Sequence, residues 1–95
     1  PESGVYAVKV RMENSMVWKQ GMMNVGTRPT FDGKRITLET HIFNFDGDIY
    51  DQLLLVSFVK RIRGEQKFDS PEELAAQLKE DEQTIMEIFE EEKEK

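Results

Sequence analysis

The sequence predicts a mainly β domain, an antiparallel sheet curled or closed into a barrel, with one C-terminal helix. Three observations carry this. Apolar residues alternate with period two through much of residues 4–63, turn-forming clusters punctuate them, and helical spacing begins after a capping sequence at Ser70. Short consecutive strands joined by turns pair antiparallel more readily than they form crossovers.

The elements follow in order. In Gly4–Met12, Tyr6, Val8, Val10 and Met12 face one way and Val5, Ala7, Lys9 and Arg11 the other, the alternation of a strand rich in β-branched residues. Glu13-Asn14-Ser15 marks a turn, after which Met16–Lys19 begins the return strand and Met22–Val25 continues it beyond Gly21. Gly26–Thr30 is expected to be irregular, because Pro29 has no amide hydrogen and holds Arg28 extended. Asp32-Gly33 reads as a tight turn, Ile36–Phe45 as a long strand, and Asp46-Gly47-Asp48 as the next turn. Along the long strand Thr37, Glu39, His41 and Phe43 share one face. Leu53–Arg63 is a further strand, apolar on both faces in its first half and so expected to be covered on both sides. Ser70-Pro71-Glu72-Glu73 is a capping box with proline at the first helical position. Leu74, Leu78, Ile85 and Ile88 follow at helical spacing, with Phe89 alongside. Asp81 interrupts that stripe and is read as a structural partner for an arginine or an amide.

Ninety-five residues make one domain at most. There is no cysteine, so disulfides, cysteine zinc sites and thiol nucleophiles are excluded, and a reducing, cytoplasmic setting is expected. No apolar run reaches the roughly 20 residues of a membrane helix, so no membrane partner is expected. The net charge of −6 is unevenly spread: residues 71–95 carry ten acids and three bases, whereas residues 1–70 carry nine acids and ten bases. An acidic tail beside a nearly neutral body argues against nucleic acid as a partner, yet leaves room for a compact site for one small anion.

Four groups of residues could carry chemistry. Glu39 stands mid-strand, where a carboxylate facing a cavity can act as general base toward a hydroxyl, or can pair with a cation across the sheet. His41 is the sole histidine and lacks the companions of a zinc site; it reads as a strand histidine. Gly26–Phe31 combines backbone donors, the hydroxyls of Thr27 and Thr30 and the guanidinium of Arg28, either as a ligand loop or as an ordinary hairpin, and it is no Walker loop. Lys60-Arg61-Ile62-Arg63 ends the apolar strand, with alternation placing Arg61 and Arg63 on one face for an anion or for salt bridges to the acidic helix.

Five segments occur in a recognisable order: Gly4-Val5-Tyr6-Ala7-Val8, Asn24-Val25-Gly26-Thr27-Arg28-Pro29-Thr30-Phe31, Leu38-Glu39-Thr40-His41-Ile42, Phe45-Asp46-Gly47-Asp48-Ile49-Tyr50, and Glu65-Gln66-Lys67-Phe68-Asp69-Ser70. Together they resemble the riboflavin kinase module of bacterial bifunctional riboflavin kinase/FMN adenylyltransferases, over nearly the whole chain. The resemblance implies one partial riboflavin kinase-like domain over residues 1–95. Its fold would be an antiparallel Greek-key β-barrel over 4–69, incomplete because the first strand is missing, with a C-terminal helix over 71–92. It implies transfer of the ATP γ-phosphate to the terminal ribityl hydroxyl of riboflavin, giving FMN, with Mg2+ and ATP as cofactors. The partner it implies is an FMN adenylyltransferase domain in the same polypeptide. By the same resemblance Glu39 is the base. Arg63, Thr27 and Arg28 lie on the flavin and phosphate side, Asn44 and Tyr50 on the nucleotide side, and Gly26–Lys34 maps to a loop near the site.

The family's Pro-Thr-Ala-Asn segment, whose threonine and asparagine hold magnesium and phosphates, does not occur in these residues, and no metal ligand is assigned. The expectation is an N-terminally truncated kinase domain, inactive by itself, able to self-associate through an exposed strand edge. The alternative is a non-catalytic flavin-binding or regulatory barrel module.

Overall fold

The computed structural model describes residues 2–45 and 53–93. The expected turn at Asp46-Gly47-Asp48 and the candidate Tyr50 therefore lie outside the described residues. The elements are β1 (Gly4–Met12), β2 (Lys19–Thr30), β3 (Gly33–Ile42), β4 (Leu54–Arg63) and α1 (Pro71–Lys93). The four strands form one antiparallel sheet in the order β3-β2-β1-β4. Among the described residues the sheet is open, with β3 and β4 as its edges, so the fold is mainly β but is not a closed barrel.

The alternation read in Gly4–Met12 is the organising feature. Val5 and Ala7 turn toward α1 and are buried with Phe43, Ile85 and Phe89. Tyr6, Val8 and Val10 point to the opposite face and are buried with Met23 and Val25, where Ile42 of β3 and Leu54 and Val56 of β4 pack against them. Burying an aliphatic or aromatic side chain such as Ile85 or Phe89 contributes about 1.5–3 kcal/mol. The strand covered on both faces is thus the central β1. In β4, by contrast, Leu55 and Phe58 remain exposed, because an edge strand has a neighbour on one side alone.

Two further expectations are corrected. Gly26–Thr30 is not irregular: β2 runs through it and pairs with β3 down to Thr30 opposite Gly33, leaving Phe31 and Asp32 as the turn. Pairing with β1 ends at Val25 opposite Gly4, so this outer stretch has a strand on one side alone, where proline's missing donor is tolerated. Nor do Arg61 and Arg63 share a face. Two register shifts in the β1–β4 ladder set Arg61 opposite Tyr6 and Arg63 opposite Val5, breaking strict alternation. Arg61 then donates to the Ser3 carbonyl at 2.7 Å, whereas Arg63 reaches the helix.

The helix begins as its cap dictates. The Glu73 amide donates to Ser70 Oγ at 3.1 Å, and the Glu73 carboxylate returns to the Asp69 amide, also at 3.1 Å, one residue before the expected Ser70. Ile85 and Phe89 seat the C-terminal half on the sheet, but Leu74 is exposed and Leu78 half-buried. The first turns of α1 stand off the sheet and leave a groove beneath them.

Candidate functional site

One line of paired residues crosses the whole sheet. Glu39 of β3 lies opposite Asn24 of β2, Asn24 opposite Val5 of β1, and Val5 opposite Arg63 of β4. Val5 points to the helix, so by strand alternation the row faces α1. Between this row and the raised N-terminal half of α1 lies a hollow of about 580 Å³, walled by Asn24, Arg63, Lys67, Phe68, Leu74 and Leu78. A second hollow of about 300 Å³ shares Asn24, Leu74 and Leu78 and adds Met22, Glu39 and His41. A third, of about 150 Å³, carries the groove outward past Gly26, Thr27, Arg28 and Thr37. Shared walls make these one groove, apolar at the helix and polar along the β2–β3 ribbon.

The anchored part of the groove is its β4 end. Arg63 Nε donates to both oxygens of Asp81 at 3.0 Å, and Nη2 donates to Oδ2 at 2.8 Å. Gln77 Nε2 adds a fourth bond to Asp81 at 3.0 Å. The Asp81 side chain is 3% exposed and that of Arg63 18%, so both charges are largely removed from water and compensated by each other. Asp81 is therefore a structural partner for an arginine, Arg63, and also for an amide, Gln77, the two kinds of partner its place in the helical stripe suggests. The Arg63 guanidinium also lies 5.8 Å from the Phe68 ring centre, steadying the groove wall.

At the other end the fixtures are looser. Arg28 Nη2 approaches Glu39 Oε1 at 3.8 Å, with both side chains more than half exposed. Glu65 reaches across from the segment after β4 and accepts a hydrogen bond from the Thr27 amide at 3.3 Å. Glycine at 26 makes room for it: a Cβ there would stand 2.9 Å from Glu65 Oε1. His41, also on the groove face, packs its ring against Phe43 at 5.6 Å between centres.

Of the residues singled out from sequence, Glu39, Thr27, Arg28 and Arg63 thus line one groove. Asn44 does not line these hollows; it sits in a turn beyond the end of β3 with a left-handed φ of 54°. Asn24 and Glu65 were not singled out as site residues. Asn24 carried a local signal, a polar side chain alternating with the buried Met23 and Val25. Glu65 carried none, since its contact with Thr27 spans 38 residues of sequence.

A model of the family described as riboflavin kinase, or flavokinase, matches residues 1–89. The chain belongs to the riboflavin kinase family. It is 42% identical over 89 residues to a bifunctional riboflavin kinase/FMN adenylyltransferase of Haemophilus influenzae, covering 94% of this chain and 29% of that protein. It is 43% identical to the protein of that description from Escherichia coli K12, covering 94% of this chain and 28% of the relative. A Bacillus subtilis protein described as an RNA-binding riboflavin kinase is 36% identical, over 93% of this chain and 38% of its own length. Among solved structures, one described as a macrolide-efflux protein from Streptococcus pneumoniae superimposes with a TM-score of 0.82 at 40% identity, covering 90% of this chain and 28% of that one. No helix among the described residues is long and apolar enough to cross a membrane. The chain thus spans under a third of the length of the bifunctional relatives it matches.

Proposed function

We propose that the groove binds riboflavin and that the protein transfers the γ-phosphate of ATP to the terminal ribityl hydroxyl, giving FMN. The observation that supports this most is the Glu39–Asn24–Val5–Arg63 row, which sets a carboxylate and an anchored guanidinium along a groove with an apolar helical wall. In this reading Leu74, Leu78 and Phe68 cover the isoalloxazine ring, and Asn24 offers its amide to the ribityl chain. Glu39 accepts the proton of the attacking hydroxyl as the new O–P bond forms and the bond from the γ-phosphorus to the bridging oxygen of ADP breaks. Arg28, at 3.8 Å from Glu39, orients that carboxylate and meets phosphate charge.

Magnesium accompanies ATP in this chemistry and neutralises the phosphates. Among the described residues no three carboxylates or imidazoles converge, and the Pro-Thr-Ala-Asn segment is absent from residues 1–95. Residues 1–95 alone are accordingly expected to bind flavin without turning it over. We place the activity in a bifunctional polypeptide with an adenylyltransferase domain, in a cytoplasmic setting.

The exposed Arg28–Glu39 pair gives a second reading some support, since a carboxylate occupied by a neighbouring cation suits a flavin-binding module without turnover. Titration with riboflavin, read by quenching of flavin fluorescence, tests the common part. Saturation at one flavin per chain is expected, weakened at least about tenfold by Phe68→Ala through lost apolar contact. Absence of saturable binding refutes both readings.

A further inference from the structure

We propose that the loop between β1 and β2 and the hollow beside it form an interface with a second copy of this chain, each loop entering the other copy's hollow. Three apolar residues stand exposed in succession on that loop: Met16 at 90%, Val17 at 60% and Trp18 at 46%. Single apolar residues scattered over a surface are ordinary, whereas a contiguous exposed patch marks an interaction site. This patch is also held in place. The Ser15 amide donates to the Met12 carbonyl at 3.0 Å, and Ser15 Oγ accepts from the Val17 amide at 3.1 Å. Arg11 Nη1 donates to the Ser15 carbonyl at 2.9 Å, and its guanidinium lies 5.3 Å from the Trp18 ring centre. A loop ordered before contact loses little freedom on docking.

Two observations select a second copy as the occupant. The first is that projection and depression are neighbours. Trp18, together with Gln20, Ser57, Phe89 and Lys93, walls a hollow of about 530 Å³ at the C-terminal end of α1. It shares no wall residue with the groove described above. A twofold interface is self-complementary, so one rotation seats each projection in the other copy's depression. Met16 then meets the Trp18 ring of the other copy, with Phe89 at the floor, and a thioether packs favourably on aromatic rings.

The second observation is charge. Residues 9–19 carry Lys9, Arg11 and Lys19 against Glu13, whereas residues 87–93 carry Glu87, Glu90, Glu91 and Glu92 against Lys93. The same rotation sets the basic loop of one copy against the acidic helix end of the other, and such complementarity fixes the pairing.

Trp18 is the sole tryptophan and the chain has no cysteine, so fluorescence and introduced thiols both report on this surface alone. Sedimentation equilibrium of the 95-residue chain should show monomer and dimer in reversible exchange. The Trp18 emission maximum should move to longer wavelength on dilution over the same concentration range. Met16→Asp should weaken the dimer at least about tenfold by burying a charge in the contact. Its unfolding midpoint should stay within about 4 °C of the parent, because Met16 is exposed. When Met16→Cys and Ser57→Cys chains are mixed and oxidised, the mixed disulfide should form faster than either homodimeric one. A chain that stays monomeric up to about 1 mM overturns the proposal. A dimer left intact by Met16→Asp also overturns it and assigns the association to a strand edge of the sheet. Homodimeric disulfides that form as fast as the mixed one overturn it as well.

Discussion

Asp81→Asn isolates the interaction that anchors the groove. The substitution preserves shape and one acceptor oxygen but removes the charge that compensates Arg63. Removing one partner of a buried pair costs about 3–5 kcal/mol, since the other charge is left desolvated. The Arg63 side chain retains 18% exposure, so some solvent relief is available and the lower end, about 3 kcal/mol, is expected. A domain of 95 residues has roughly 5–14 kcal/mol in total. The change should therefore remove a large fraction of its stability and lower the melting midpoint by about 12–24 °C. Urea unfolding of the 95-residue chain, followed by circular dichroism, reads this directly. The midpoint should fall with the m-value unchanged, because the surface exposed on unfolding is the same. Arg63→Met combined with Asp81→Asn should recover much of the loss, since two neutral groups leave no stranded charge. A loss below about 0.5 kcal/mol for Asp81→Asn would show the pair to be solvent-screened, and the anchoring argument would fail.

Other perturbations separate local causes. Ser70→Ala should cost about 1 kcal/mol through loss of the bond to the Glu73 amide, and Glu73→Ala somewhat less; an unmoved unfolding midpoint in Ser70→Ala would refute the cap. Gly21→Ala should destabilise by about 1–3 kcal/mol, because its Cβ would meet the backbone oxygen of His41 at 2.7 Å and the strands must part. Gly26→Ala should cost less than half as much, because the obstructing atoms, Glu65 Oε1 and Thr37 Oγ1, belong to side chains and not to the backbone; equal costs at the two glycines would contradict the geometry.

Much of the fold was legible because it was local. The alternation of Tyr6, Val8 and Val10 against Val5 and Ala7 was enough to orient the central strand, and Ser70 with Glu73 marked the helix start. Asp81 could be read as a partner for an arginine or an amide because a charge in an apolar stripe must be compensated. What escaped depends on strand neighbours. Gly26–Thr30 becomes a strand because β3 pairs with it, and the parting of Arg61 from Arg63 follows from register shifts against β1. The half-exposed leucines of β4 follow from its place at the edge, which the order of strands decides. In the groove, Glu39 and Arg63 were visible as polar residues at suggestive positions, whereas their common row with Asn24 exists only in the assembled sheet.

The role of Glu39 is tested most directly by Glu39→Gln in the full-length protein, with turnover, riboflavin affinity and unfolding midpoint measured on the same variant. The general-base assignment predicts a kcat lowered by about 10²–10⁴. Riboflavin affinity should stay within a few-fold, since the amide oxygen still accepts from the ribityl hydroxyl. The midpoint should hardly move, because an exposed pair at 3.8 Å contributes little. A kcat within threefold of the parent would contradict the assignment and leave Glu39 as a surface partner of Arg28.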